Sequence, residues 1–124
     1  MTEEPERMND AIQTETQTGS APQSLQPGQV EQLLNERSAL LVDVREVEEF
    51  EFEHIPGSLL MPLSTIDHWR FPRCLQIPVI TVCQIGKRSA EAAARLREDG
   101  VTNVAHLEGG INAWKAAGLD LDSA

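Results

Sequence analysis

Hydrophobic and polar positions alternate along the chain in the way that is typical of an α/β protein. The segment "PGQVEQLLNE" starts with Pro27, which favours the first turn of a helix, and it places Val30, Leu33 and Leu34 on one face. The next segment, "ALLVDV" (39–44), is a short apolar run, as in strands that are buried on both faces of a parallel sheet. These segments predict a helix followed by a strand.

The middle of the chain has weaker signals. "EVEEF" (46–50) allows one helical turn, and "IPGSLLMPL" (55–63) is typical of a Pro-Gly turn that leads into a short strand. We interpret residues 64–76 as an irregular segment with one helical turn. The glutamates at positions 46, 48, 49, 51 and 53 predict a solvated face, with a docking surface for a basic partner as the alternative.

The strongest strand signal lies further along the chain. "PVITVC" (78–83) is the stretch richest in β-branched residues, and it predicts a strand that ends at Cys83. Ser89 is a favourable N-cap, so we predict a helix over 89–99 that Gly100 terminates.

One more strand and one more helix complete the pattern. "NVAHL" (103–107) predicts the strand, and "INAWKAAG" (111–118) predicts the helix after a Gly-Gly turn. The whole pattern indicates an α/β fold with a mainly parallel sheet. In such sheets ligands bind beyond the carboxyl ends of the strands.

The first 24 residues differ in composition from the rest of the chain. They contain few large apolar residues, and they show neither a helical nor a strand period. Such a segment buries too little apolar surface to offset the entropy that it would lose on ordering. We predict a disordered, acidic tail over residues 1–24 and one folded domain over residues 25–124.

Charge and composition exclude several classes of protein. The net charge is −10, whereas nucleic acids and anionic membranes bind basic surfaces, so neither is an expected partner. The longest unbroken apolar run, 39–42, has four residues, against about twenty for a membrane span. The two cysteines lack the spacing of a disulfide framework or a zinc site. The sequence therefore predicts a soluble, cytoplasmic protein without a metal site.

Cys83 has a sequence setting that suits a nucleophile. It is expected at the end of a central strand, and Gly86, Lys87 and Arg88 follow before the helix. The backbone N–H groups of residues 84–89 can curl around its sulfur, and the helix N-terminus and both cations favour thiolate over thiol. An inert, buried cysteine is the alternative. A glycine and two cations suit the binding of an anion better than packing, which favours the nucleophile.

Three segments occur in a specific order: "LLVDVREVEEFEFEHIPGSLLMPL", "CQIGKRS" and "LEGGINAWKAAGL". Together they resemble the single-domain rhodanese family of sulfurtransferases, over about residues 25–121. The resemblance implies a rhodanese-like fold, which is a five-stranded parallel sheet flanked by helices. It also implies a catalytic cysteine at the start of a six-residue loop, here Cys83 to Arg88.

The resemblance further implies a ping-pong sulfur transfer without a cofactor. Cys83 would take a sulfane sulfur from a small donor such as thiosulfate or a persulfide, and would pass it to cyanide or a thiol. Lys87 and Arg88 would bind the sulfonate end of the donor. Ile85 departs from the small or polar residues common in the family, which favours an organic persulfide or a sulfur-carrier protein. Backbone N–H groups would hold the anionic terminal sulfur, and they belong to Gln84, Ile85, Gly86, Lys87, Arg88 and Ser89.

Two other functions stay open on the sequence. Cell-cycle phosphatases and arsenate reductases share the fold, but their loop has five residues between cysteine and arginine, whereas four separate Cys83 from Arg88. The shorter loop favours sulfur over phosphate. The other alternative is a non-catalytic module, which either binds a sulfur-carrier protein or has a regulatory role. The intact cysteine argues against it.

Two further residues are candidates for a supporting role. Asp43 and Arg45 lie at the predicted carboxyl end of a strand, where an ion pair and hydrogen bonds would support the active loop from behind. A plain surface pair is the alternative, and such pairs contribute little to stability.

The histidines and the second cysteine are interpreted as structural. His54 is expected to be a hydrogen-bonded turn residue, and His68 and His106 lack the spacing of metal ligands. Cys74 precedes the strand that Cys83 ends, so the two thiols are expected to lie too far apart for a disulfide.

Overall fold

Five strands form a parallel sheet in the computed structural model, which describes residues 23–71 and 76–123. The order across the sheet is β1-β5-β4-β2-β3, so β4 lies in the centre with a neighbour on each side. This confirms the five-stranded parallel fold implied by the family resemblance. The strands are β1 (Gln23–Leu25), β2 (Leu40–Asp43), β3 (Leu59–Leu60), β4 (Val79–Val82) and β5 (Val104–Leu107).

Helices connect the strands, as the alternating pattern predicts. Gly100 and Gly118 follow the last two helices with φ angles of +102° and +78°, which glycine adopts without strain. Within the described part of the chain, the helices are too short or too polar to cross a membrane. The α-helices are α1 (Pro27–Asn35), α2 (Val47–Phe52), α3 (Lys87–Glu98) and α4 (Gly110–Ala116), and a 3-10 helix spans Leu63–His68.

Apolar side chains cover both faces of the sheet. On one face Leu41 and Ile80 pack with Trp114 of α4, and on the other Val42 and Val79 pack with side chains of α3. Since adjacent residues of a strand point to opposite faces, β2 and β4 need apolar residues at successive positions. This explains the continuous apolar runs of the sequence.

The sheet brings the ends of β2 and β4 together. Asp43 pairs with Val82 in the parallel register, and the N–H of Val44 donates to the carbonyl oxygen of Val82 at 2.9 Å. Arg45 and Cys83 therefore follow neighbouring strands at the same edge of the sheet. This edge carries the candidate site.

The structure corrects two sequence predictions. The strand β1 was not predicted from the residues, and it includes Gln23 and Ser24, which were assigned to the disordered tail. The helix predicted over 89–99 begins at Lys87, because Gly86 rather than Ser89 is its N-cap. The remainder of the predicted tail and Cys74 lie outside the described residues.

Candidate active site

Cys83 directly follows the central strand and is completely buried. Two backbone N–H groups donate hydrogen bonds to its sulfur, that of Gly86 at 3.1 Å and that of Ser89 at 3.2 Å. The sequence predicted an amide cradle formed by all of residues 84–89. The structure brings these two amides onto Sγ, one from the loop and one from the first turn of α3.

The turn at Gly86 makes this geometry possible. Gly86 has a φ of +105°, in the region that favours glycine, and a Cβ atom here would lie 3.2 Å from the backbone nitrogen of Gly109. The chain therefore turns sharply after Ile85 and enters α3 at Lys87. The N-terminus of α3, which carries about half a positive charge, consequently lies beside the sulfur.

The start of α4 holds the loop from the other side. The N–H of Ile111 donates to the carbonyl oxygen of Cys83 at 2.9 Å, and the N–H of Asn112 donates to that of Gln84 at 3.1 Å. The Gln84 amide also donates to Oδ1 of Asn112 at 2.8 Å. Sequence reasoning treated the "GGIN" segment as a turn and a helix start, and it missed this support of the loop.

Asp43 and Arg45 form a buried pair, with 0% and 1% of their side chains exposed. The guanidinium donates from Nε to Oδ1 at 3.0 Å and from Nη2 to Oδ2 at 2.9 Å. Arg45 also donates from Nη1 to Oε1 of Gln84 at 3.0 Å and from Nη2 to the carbonyl oxygen of Glu53 at 2.7 Å. This burial excludes the surface-pair alternative, and the pair connects the end of β2 with the loop after Cys83.

Arg88 makes an ion pair that the sequence did not predict. Its Nη1 and Nη2 donate to the two carboxylate oxygens of Glu49 at 2.9 and 3.0 Å. The hydrogen bond from Arg88 is the main reason why the pKa of Glu49 is lowered to about 2, and the same bond raises the pKa of Arg88. Glu49 was predicted to lie on a solvated face. Its carboxylate instead accepts both hydrogen bonds of the Arg88 guanidinium, the cation that was expected to bind the donor.

Ser89 and His106 form a further contact behind the loop. Oγ of Ser89 lies 3.0 Å from Nδ1 of His106 and 3.2 Å from the carbonyl oxygen of Gly86. Burial lowers the pKa of His106, so the neutral imidazole is favoured at this position. The spacing of the histidines along the chain indicated only that His106 lacks partners for a metal ion. It could not reveal the contact with Ser89 in the first turn of α3.

His54 has the structural role that was predicted for it. Its Nδ1 lies 2.8 Å from the carbonyl oxygen of Phe50, and the two rings stack with their centroids 3.9 Å apart. The backbone of His54 also pairs with that of Asp122. These contacts fix the turn that follows α2.

A cavity of about 620 Å³ lies along the outer side of the loop. Ile85 reaches its rim with 57% of its surface exposed. The cavity is open to solvent. Its walls are formed by Glu49, Gln84, Ile85, Lys87, Arg88 and Glu91.

The chain matches the model of the rhodanese-like domain over residues 26–117. It is 40% identical to the uncharacterized protein slr1261 of Synechocystis over 109 residues, which cover 88% of this chain and 58% of that protein. It is 34% identical to the thiosulfate sulfurtransferase GlpE of Pseudoalteromonas translucida over 86 residues, which cover 69% of this chain and 82% of that protein.

Solved structures share the fold. A rhodanese-related protein of Thermoplasma volcanium superposes with a TM-score of 0.74 and 26% identity, covering 82% of this chain and 99% of that one. A Rhodopseudomonas palustris protein described as a possible tyrosine phosphatase superposes with a TM-score of 0.75 and 25% identity, covering 93% of both chains. Two different chemistries are therefore named among proteins of this fold.

Proposed function

Since the chain belongs to the rhodanese-like domain family, we propose that it is a sulfurtransferase that carries a sulfane sulfur as a persulfide on Cys83. The similarity to thiosulfate sulfurtransferases supports this general kind of enzyme. We propose thiosulfate or a persulfide as the donor, and cyanide or a thiol as the acceptor. We further propose a sulfur-carrier protein as a partner and the cytoplasm as the location.

The observation that carries the proposal is the pair of N–H groups on the sulfur of Cys83. Hydrogen bonds from the amides of Gly86 and Ser89, at 3.1 and 3.2 Å, stabilise negative charge on that atom. A thiolate is the nucleophile that sulfur transfer requires. Because α4 fixes the loop and Ser89 lies in the first turn of α3, both amides are already oriented before a donor arrives.

The reaction has two balanced steps. The Cys83 thiolate attacks the outer sulfur of the donor, a new S–S bond forms, and the old S–S bond breaks with its electron pair leaving on sulfite or on a thiolate. The acceptor then attacks the outer sulfur of the persulfide, and Cys83 leaves as a thiolate. No external oxidant or reductant is consumed.

Phosphatase or arsenate reductase chemistry is disfavoured by the same loop. Only four residues separate Cys83 from Arg88. In addition, both terminal nitrogens of Arg88 bind Glu49, so they are not directed at an oxyanion above the sulfur. A tetrahedral phosphate would need that guanidinium.

Mass spectrometry of the intact protein tests the proposal. Incubation with thiosulfate or glutathione persulfide should add one sulfur atom, and cyanide should remove it as thiocyanate. The Cys83→Ser variant should never gain the sulfur. The matched variant Cys74→Ser should gain it as the wild type does. A wild-type protein that stays unmodified with both donors would leave a non-catalytic binding role as the better explanation.

A further inference from the structure

The cavity beside the loop has balanced charge. Of its six wall residues, Lys87 and Arg88 are cations and Glu49 and Glu91 are anions, so their formal charges cancel. The chain as a whole has a net charge of −10. A dianion that enters the cavity therefore meets no excess of positive charge from these walls.

Glu49 neutralises the positive charge with which Arg88 would attract an anionic donor. Its carboxylate accepts two parallel hydrogen bonds, the geometry in which guanidinium and carboxylate bind most strongly. Oε1 also accepts the N–H of Glu46 at 2.9 Å, as part of a capping box at the start of α2. This second bond holds the Glu49 carboxylate in place at the start of α2, where it pairs with Arg88. The pKa of about 2 keeps Glu49 ionised at neutral pH.

The rim of the cavity is apolar on the loop side. Ile85 lines the cavity there, and 57% of its surface is exposed. An apolar group on a donor would gain by covering the Ile85 side chain, at about 25 cal/mol per Å² of buried surface. Thiosulfate has no such group.

We propose that Glu49 determines donor specificity: by pairing with Arg88 it selects monoanionic sulfane-sulfur donors that carry an apolar group over the thiosulfate dianion. This inference rests on the proposed sulfur transfer at Cys83. Benzenethiosulfonate represents the selected class, because it carries one negative charge and a phenyl ring. Its outer sulfur is attacked by the Cys83 thiolate, an S–S bond forms with the protein, and the S–S bond of the donor breaks to release benzenesulfinate with the electron pair.

The experiment compares kcat/KM for benzenethiosulfonate and thiosulfate, with cyanide as acceptor and thiocyanate as the measured product. Wild type should prefer benzenethiosulfonate. Glu49→Gln should raise kcat/KM for thiosulfate about tenfold, through a lower KM, and that for benzenethiosulfonate about threefold, because Coulomb energy is proportional to the charge of the donor. The preference should thus shift by about threefold toward thiosulfate.

Glu48→Gln is the matched control. Glu48 is the preceding residue of the same helix, is exposed, and gives the same change in net charge. The Glu48→Gln substitution should change kcat/KM for each of the two donors by less than about twofold, since exposed charges are screened by salt. Equal shifts in both variants would assign the effect to net charge. An equal loss of kcat/KM for both donors in Glu49→Gln would show that Glu49 positions the loop and does not select the donor.

A circular dichroism melt shows whether the Glu49→Gln variant folds. If the variant does not fold, the wild-type protein alone still tests the inference. Added sodium chloride should lower the KM for thiosulfate, because the cavity walls offer no net positive charge and salt screens the repulsion between the dianion and the net charge of −10 of the chain. A KM that rises with salt would show attraction and would overturn the role of Glu49. Absence of a Cys83 persulfide with both donors would instead refute the sulfur transfer itself.

Discussion

Gly110 packs so closely on Cys83 that a Cβ atom added to it would lie 2.3 Å from the carbonyl oxygen of Cys83. The same atom would lie 2.6 Å from the carbonyl oxygen of Gln84, and the φ of Gly110 is +62°. The contact explains why α4 can donate its first N–H groups to the loop. The loop is therefore held by the backbone of a distant segment as well as by its own sequence.

Gly110→Ala should lower the free energy of unfolding by about 2–4 kcal/mol, since it combines a backbone clash with a strained φ. It should also impair formation of the Cys83 persulfide, because the loop must move. Urea unfolding and intact mass measure the two effects.

Gly28→Ala is the control for this change. A Cβ atom at Gly28 meets nothing within 4 Å, and the residue lies in α1. Its stability should stay within about 1 kcal/mol of the wild type or rise, as expected for alanine in a helix. A Gly110→Ala variant as stable as this control would contradict the close packing of α4 on the loop.

The buried pair of Asp43 and Arg45 should be important for stability. Asp43→Asn leaves the Arg45 guanidinium buried without its counter-charge, so we expect a loss of about 3–5 kcal/mol. Asp67→Asn breaks the exposed pair with Arg95 and should leave the stability close to that of the wild type, because solvent screens exposed pairs. Chemical denaturation of both variants measures the difference.

The effect of Asp43→Asn on catalysis should be smaller than its effect on stability. Asp43 reaches the loop through Arg45, which binds Gln84. At a temperature where the variant is fully folded, its kcat/KM should fall less than tenfold. Wild-type stability combined with a large loss of kcat would show that Asp43 contacts the reacting groups instead.

Acid should destabilise the protein partly through His106. Burial lowers its pKa in the folded state, so the unfolded chain takes up a proton more readily than the folded one. The contribution of neutral His106 to stability is complete above the pKa of about 6.5 that a histidine has in the unfolded chain. It is lost as the pH falls from there toward the pKa of His106 in the folded state. His106→Asn removes this contribution, and its melting temperature should fall less than that of the wild type on acidification.

Thermal melts from about pH 7.5 to about pH 5.5 measure the difference, since this window spans the ordinary histidine pKa. His68→Asn is the control, because His68 is an exposed residue of the 3-10 helix. It should follow the wild-type pH dependence. The same pH dependence in the His106→Asn variant would contradict the effect of burial on His106.

Local patterns were sufficient to predict most of the fold and the position of Cys83, the proposed nucleophile. Runs such as "VITV" favour strands that are buried on both faces, and glycines such as Gly100 favour the end of a helix, because both preferences depend on neighbouring residues. Cys83 could be placed at the end of a strand and before a helix for the same reason. The order of the three motifs then identified the family.

Pairing between distant segments was decided by the tertiary structure. Arg88 binds Glu49, 39 positions away, and Ser89 contacts His106, 17 positions away. The three residues of β1 form a strand because they pair with β5, although only Leu25 is buried. Such contacts depend on how the sheet places its strands, and the energy of a charge or a hydrogen bond depends on the partner within a few ångströms. The sequence by itself therefore determined where the proposed nucleophile, Cys83, lies in the fold, whereas the tertiary structure decided that the nearby cation Arg88 is paired with Glu49.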